Sequence, residues 1–139
     1  MAKRIVLISC VKKKVGHRAK ARDLYVSPWF KLAFRYAQRL RPDRIFILSA
    51  KYGLLGPDAV VEPYEKTLNK MPATEVKAWA VGVIEKLRRH ANLASDHFII
   101  LASERYRKHL RPHLGSSEVP MEGLGIGRQL RWLKNAVEQ

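Results

Sequence analysis

The chain has 139 residues, 47% of them apolar, and carries 27 Lys and Arg against 12 Asp and Glu, for a net charge of +15. That length fits one α/β domain over residues 1–139, because domains most often run to about 100–150 residues. No apolar run nears the ~20 residues of a membrane-crossing helix. The lone cysteine, Cys10, excludes an intrachain disulfide and a cysteine-cluster metal site.

The start, Lys3 and Arg4 before the run Ile5 to Ile8, imitates a secretion signal, but its apolar part is too short for one. A cytoplasmic protein with no membrane partner is expected. A chain this basic usually meets a polyanion, so nucleic acid is the expected partner, DNA before RNA. The plainer reading is that surplus Lys and Arg only keep the surface hydrated.

Residues 4–9 read as a first strand. A basic loop follows, with Lys12, Lys13, Lys14, Arg18, Lys20 and Arg22, suited to phosphate oxygens. Ser27 and Pro28 make a helix start, a capping hydroxyl before a proline at the first helical position. The helix is expected over 28–40, its apolar face built from Trp29, Leu32, Ala33, Tyr36, Ala37 and Leu40. Lys31, Arg35 and Arg39 recur every four residues and form a basic stripe on another face. Pro42 ends it.

The second strand, 44–49, is apolar from Ile45 to Leu48 without alternation, as in a strand buried on both faces. Ser49, Lys51, Tyr52 and Gly53 then mark an abrupt turn to polar chemistry. Residues 50–73 read as one long ordered loop folded over the strand ends, with Tyr52, Leu54, Val60, Val61 and Tyr64 buried. A helix over 74–90, a third strand over 97–102, a short helix over 104–110 stopped by Pro112, a fourth short strand over 117–120 and a last helix over 126–137 complete the chain. Gly125 and Gly127 form a Gly-x-Gly at the last helix start, a weak phosphate signal. Strands alternating with helices predict a three-layer α/β/α fold with a small, mainly parallel sheet of about four strands. In such sheets ligands gather beyond the carboxyl ends of the strands.

The chain lacks a P-loop, an HExxH and a Gly-x-Ser-x-Gly, so no cofactor is expected. No metal is expected either: His109 and His113 are four apart, but Pro112 lies between them and further ligands are missing. Cys10 lacks a placed base and reads as a buried or site-lining residue. What remains is carboxylate, phenol, hydroxyl and amine in a basic shell. Asp23 and Glu62 are the acid/base candidates, with Lys51 beside them. Ser9, Lys12, Lys13, Tyr25, Ser49, Tyr52, Tyr64 and Arg128 are the candidates for holding bases and phosphates.

Several motifs also carry a resemblance. They are Leu7-Ile-Ser-Cys10 with Lys12 to Lys14, Ala21-Arg-Asp-Leu-Tyr25 with Ser27, Pro28 and Phe30, Leu48-Ser-Ala-Lys-Tyr-Gly-Leu-Leu55, Glu62-Pro-Tyr64 and Gly125-Ile-Gly127. Together they resemble an uncharacterised bacterial, archaeal and phage domain family, itself similar to the YaaA-like peroxide-stress proteins. That similarity implies DNA binding and protection against oxidative damage. YaaA-like proteins are longer, and the chain shows no helix-hairpin-helix. The opening from Ile8 to Lys12 also resembles the uracil-DNA-glycosylase-like domain attached to archaeosine synthases, which implies base-directed chemistry. The expected function is thus a nucleic-acid-associated enzyme acting on a base or nucleotide, in its specific form a glycosylase-like hydrolase of N-glycosidic bonds. The alternative is a non-catalytic DNA- or RNA-binding domain. A third reading is a small-molecule nucleotide site at the Gly125–Gly127 turn.

Overall fold

The computed structural model describes residues 2–9 and 14–138. In chain order the elements are β1 (Arg4–Ser9), β2 (Ala19–Lys20), α1 (Ala21–Leu24), α2 (Pro28–Arg39), β3 (Arg44–Ser49), β4 (Gly53–Leu55) and β5 (Val60–Val61). They continue with α3 (Ala73–Arg88), β6 (His97–Leu101), α4 (Glu104–Arg107), β7 (Ser116–Glu118) and α5 (Ile126–Glu138). Five strands form one sheet in the order β4-β3-β1-β6-β7. β3, β1, β6 and β7 run parallel, and β4 folds back antiparallel on β3.

The strand sequences explain the layering. Side chains alternate across a strand, and both faces of this sheet are covered. Ile5 and Leu7 of β1 pack toward α3 with Phe46, Leu48, Phe98 and Ile100. Val6 and Ile8 pack toward α2 and α5 with Ile47, Ile99 and Leu101. Continuous apolar runs are what a doubly covered parallel sheet needs. The chain steps from β1 to β3 through α2, then passes back over β1 to β6 through α3. Right-handed crossovers running in opposite directions put their helices on opposite faces. The result is the three-layer α/β/α architecture.

The helices begin and end as their residues dictate. The Ser27 hydroxyl accepts from the Phe30 amide at 3.2 Å, with Pro28 in the first turn. α2 buries Trp29, Phe30, Ala33, Phe34 and Ala37. α3 buries Val76, Ala80, Val83, Ile84 and Leu87. No described helix is long and apolar enough to cross a membrane.

Three expectations are corrected. The predicted loop 50–73 holds two short strands, because Gly53, at φ +76°, turns the chain back so that Leu54 and Leu55 pair with β3. Val60 is not buried but 56% exposed. It pairs with Lys20 in a two-residue ribbon with one side open to water. The helix expected over 104–110 is a single turn, α4, followed by a 3-10 turn over Arg111–His113, since Pro112 cannot donate to a continuing helix. Just before β7, Gly115 donates to the Leu93 carbonyl at 2.8 Å and lies so close to the chain leading into β6 that a Cβ there would be 2.2 Å from the Ala94 carbonyl oxygen.

Candidate functional site

A cleft of about 780 Å³ opens beside the carboxyl ends of β1 and β6. Its walls come from three places: Lys14 to Gly16 after β1, Pro63 to Lys70 after β5, and Tyr106 in α4 after β6. The location follows from topology. The connections after β1 and β6 leave in opposite directions across the sheet, and a crevice forms between such strands.

Each wall is anchored. Ser49, the last residue of β3, is fully buried. Its hydroxyl accepts from the Tyr52 amide at 3.0 Å and donates to the Tyr64 hydroxyl at 2.9 Å. The Tyr64 and Tyr25 hydroxyls are 2.7 Å apart, so Ser49, Tyr64 and Tyr25 form one chain of hydroxyls under the cleft wall. The Tyr64 ring meets those of Tyr25 and Tyr52 edge-on. The Lys14 ammonium lies 4.4 Å from the centre of the Tyr64 ring, a cation–π contact worth about 0.5–2 kcal/mol. On the far side, Arg105 donates from Nε to the Leu68 carbonyl at 2.7 Å and from Nη2 to that of Met71. That guanidinium fixes the segment bearing Lys66, Asn69 and Lys70 against α4.

The cleft therefore presents three ammonium groups, Lys14, Lys66 and Lys70, with one carboxylate, Glu65, and the neutral donors Thr67 and Asn69. Such a lining is chemically suited to an anion bearing further polar groups. Among the described residues no three His, Cys, Asp or Glu cluster as a metal site would require.

The sequence candidates divide sharply. Tyr64 lines the cleft; Tyr25, Ser49 and Tyr52 stand behind it and hold Tyr64. Ser9 ends β1 and is 2% exposed, inside the sheet. Lys12, Lys13 and Cys10 lie outside the described residues. Lys51 is exposed in the β3–β4 turn, its ammonium 5.3 Å from the Tyr52 ring centre. Glu62 is exposed and pairs with Arg18 at 3.4 Å, not with Lys51. Asp23 is exposed on α1, and Arg128 is exposed in the first turn of α5. None of Lys51, Glu62, Asp23 or Arg128 lines the cleft. The Gly125–Gly127 turn does not line it either: a Cβ at either glycine would meet open space, and Gln129 ties the helix start to the Trp29 indole at 2.9 Å.

Sequence reasoning passed over Glu65, Lys66, Thr67, Asn69, Lys70 and Tyr106 as site residues. A signal existed for five of them: a polar run with two lysines, bracketed by Pro63 and Pro72.

The family described as a family of unknown function (DUF6884) matches residues 5–135. The chain belongs to this family. It is also 32% identical, over 152 aligned residues, to the "Uncharacterized protein YfjM" of Bacillus subtilis (strain 168), covering 99% of this chain and 97% of that one. The match runs through all three cleft walls, so the cleft is built from segments inside the family's span and not from an appendage.

Proposed function

We propose that the protein is a nucleic-acid-associated enzyme that takes one nucleotide of a strand into the cleft and acts at its base. The observation that carries this is the lining itself: Lys14, Lys66 and Lys70 converge on one concave site in a chain of net charge +15. Ammonium groups on flexible stems bind phosphate oxygens as point charges. Its volume falls within the ~300–1,000 Å³ of small-molecule sites. Thr67 and Asn69 offer hydroxyl and amide groups to a base edge or sugar.

Glu65, the one carboxylate in the cleft lining, is the candidate for chemistry there. Acting on an N-glycosidic bond, it would activate water or stabilise the cationic sugar. The Tyr64 ring, held in place by its hydroxyl's bonds to Ser49 and Tyr25, would orient the base. Asp23 and Glu62 stand outside this role. The resemblance to YaaA-like proteins supports DNA binding in a stress setting, and the resemblance of the Ile8–Lys12 opening to uracil-DNA-glycosylase-like domains supports base-directed chemistry.

The test is an abasic-site assay on DNA carrying uracil, alkylated or oxidised bases. Activity on one substrate is expected, reduced about 100-fold or more in Glu65→Gln, and unchanged in Asp23→Asn and Glu62→Gln. No product from any substrate, with short single strands still bound and Lys66→Ala/Lys70→Ala abolishing that binding, would leave a non-catalytic nucleic-acid-binding protein instead.

A further inference from the structure

The cleft holds only part of the chain's positive charge. α2 and α5 pack side by side over the same face of the sheet, joined by the Trp29–Gln129 hydrogen bond and by Tyr36 against Trp132, their rings 4.9 Å apart. Their outward surfaces carry Lys31, Arg35 and Arg39 on α2 and Arg128, Arg131 and Lys134 on α5, all exposed. α2 contains no carboxylate, and α5 contains only Glu138, at its end. None of the six cations takes part in an ion pair among the described residues.

From this charge complementarity we infer that the outer face of α2 and α5 docks on the phosphate backbone of duplex DNA. The inference rests on the nucleic-acid reading of the cleft and adds to it a second, separate binding surface. At 1.5 Å per residue, the α2 stripe spans about 12 Å. Neighbouring helices pack about 8–10 Å apart. The face is thus a patch, not a line, and matches a duplex, which presents a charge about every 1.7 Å along its axis. A lone cleft has no such breadth. An anionic membrane fits less well, because both helices turn their apolar stripes toward the core and leave one large exposed apolar side chain, Ile126 at the start of α5, to insert between lipids.

The division of labour is physical. The face contributes sequence-independent affinity and orientation, as phosphate contacts do. The cleft then receives one nucleotide.

The experiment compares two fluorescent probes, a 24-base-pair duplex and a five-nucleotide single strand, by anisotropy across salt concentrations. The tested variant combines Lys31→Glu, Arg35→Glu, Arg128→Glu and Arg131→Glu; its neutral counterpart carries Gln at the same four positions. Both should keep the parent circular dichroism, since all four side chains are exposed. Duplex affinity is expected to fall at least tenfold in the Gln variant and further in the Glu variant. The slope of log K against log salt should shrink by about 3–4 once four phosphates are no longer neutralised. Single-strand affinity should stay within about twofold, whereas Lys66→Ala/Lys70→Ala should show the reverse pattern. Unchanged duplex binding in folded Gln and Glu variants overturns the inference, as does an equal loss on both probes or stronger binding to phosphatidylserine vesicles than to duplex. If the parent binds duplex through the face but ignores the short strand, the cleft reading fails and this one stands. If it binds neither probe, both fail.

Discussion

The two helical layers solve the same packing problem and differ only on the outside. α3 buries Val76, Ala80, Val83, Ile84 and Leu87, and α2 buries Trp29, Phe30, Ala33, Phe34 and Ala37, each stripe against one face of the same sheet. Outward, α3 mixes three cations with two carboxylates, Glu75 and Glu85, and employs three of these five charges internally. Arg88 lies 3.9 Å from Glu85, and the Lys86 ammonium donates to the Tyr52 carbonyl at 2.9 Å. The α2–α5 layer offers six cations against one carboxylate and, among the described residues, pairs none of them. Burial constrains the inner stripe of a helix and leaves the outer face open to other uses. The outer faces are therefore where the two layers are free to differ in use.

The sharpest way to break this comparison is to damage the inner stripes. Phe30→Ala and Leu87→Ala, both in fully buried positions, should each cost about 2–5 kcal/mol of unfolding free energy in urea. If one layer tolerated truncation while the other did not, the layers would not be structurally equivalent. Next in size is Asp96, which belongs to neither layer and serves as a control for the sheet's amino edge. Its carboxylate accepts from the amides of Lys3 and Asn92, both at 2.8 Å. Those two hydrogen bonds hold its pKa below the ordinary carboxylate value. The unfolded chain then binds the proton more readily, so this contribution is complete above about pH 4 and lost as pH falls through the lower folded value. Asp96→Asn turns an amide NH₂ toward a backbone donor. It should cost about 1–3 kcal/mol at neutral pH and flatten the acid limb of the stability curve. An unchanged acid limb would show that the carboxylate is not the group responsible.

Ser49→Ala sharpens the contrast between cleft and face. It leaves the Tyr52 amide without its acceptor and releases Tyr64. A loss of about 1–3 kcal/mol is expected, with weaker single-strand binding and unaltered duplex binding. The smallest effect should come from the α3 surface. Lys77→Glu with Arg88→Glu lowers net charge by four, as does Lys31→Gln with Arg35→Gln, Arg128→Gln and Arg131→Gln. Yet it should leave duplex affinity within about twofold at physiological salt, where exposed charges farther apart than ~8 Å are screened. A matching loss from both sets would make total charge, not its placement, the operative quantity.

Much of the fold was readable locally. Ile5 to Ile8, Ile45 to Leu48 and Phe98 to Leu101 are continuous apolar runs between polar breaks, and the helix stripes recur at helical spacing. The break at Gly53 was equally plain, although the short β4 behind it was not, because two leucines after a turn carry no period. The candidate site was legible only in part. Tyr25, Ser49, Tyr52 and Tyr64 come together as neighbours of one another, whereas Asp23, Lys51, Glu62 and Arg128 share the chain's polar segments without sharing the cleft. Nothing in residue spacing reports whether an exposed carboxylate will find Arg18 or face a cavity.

By itself, then, the amino-acid order determined the longer strands and helices and which side of each is apolar, because those depend on periodicity over a few residues, but not the two- and three-residue strands β2, β4 and β5. It also determined that the molecule is strongly basic. Only the tertiary structure decided the strand order, the crevice between β1 and β6, the meeting of Lys14 with Lys66 and Lys70, and the merging of two basic stripes into one face. Those are meetings of segments tens of residues apart. They are selected by how the two apolar faces of the sheet are covered, a global condition that no local window contains.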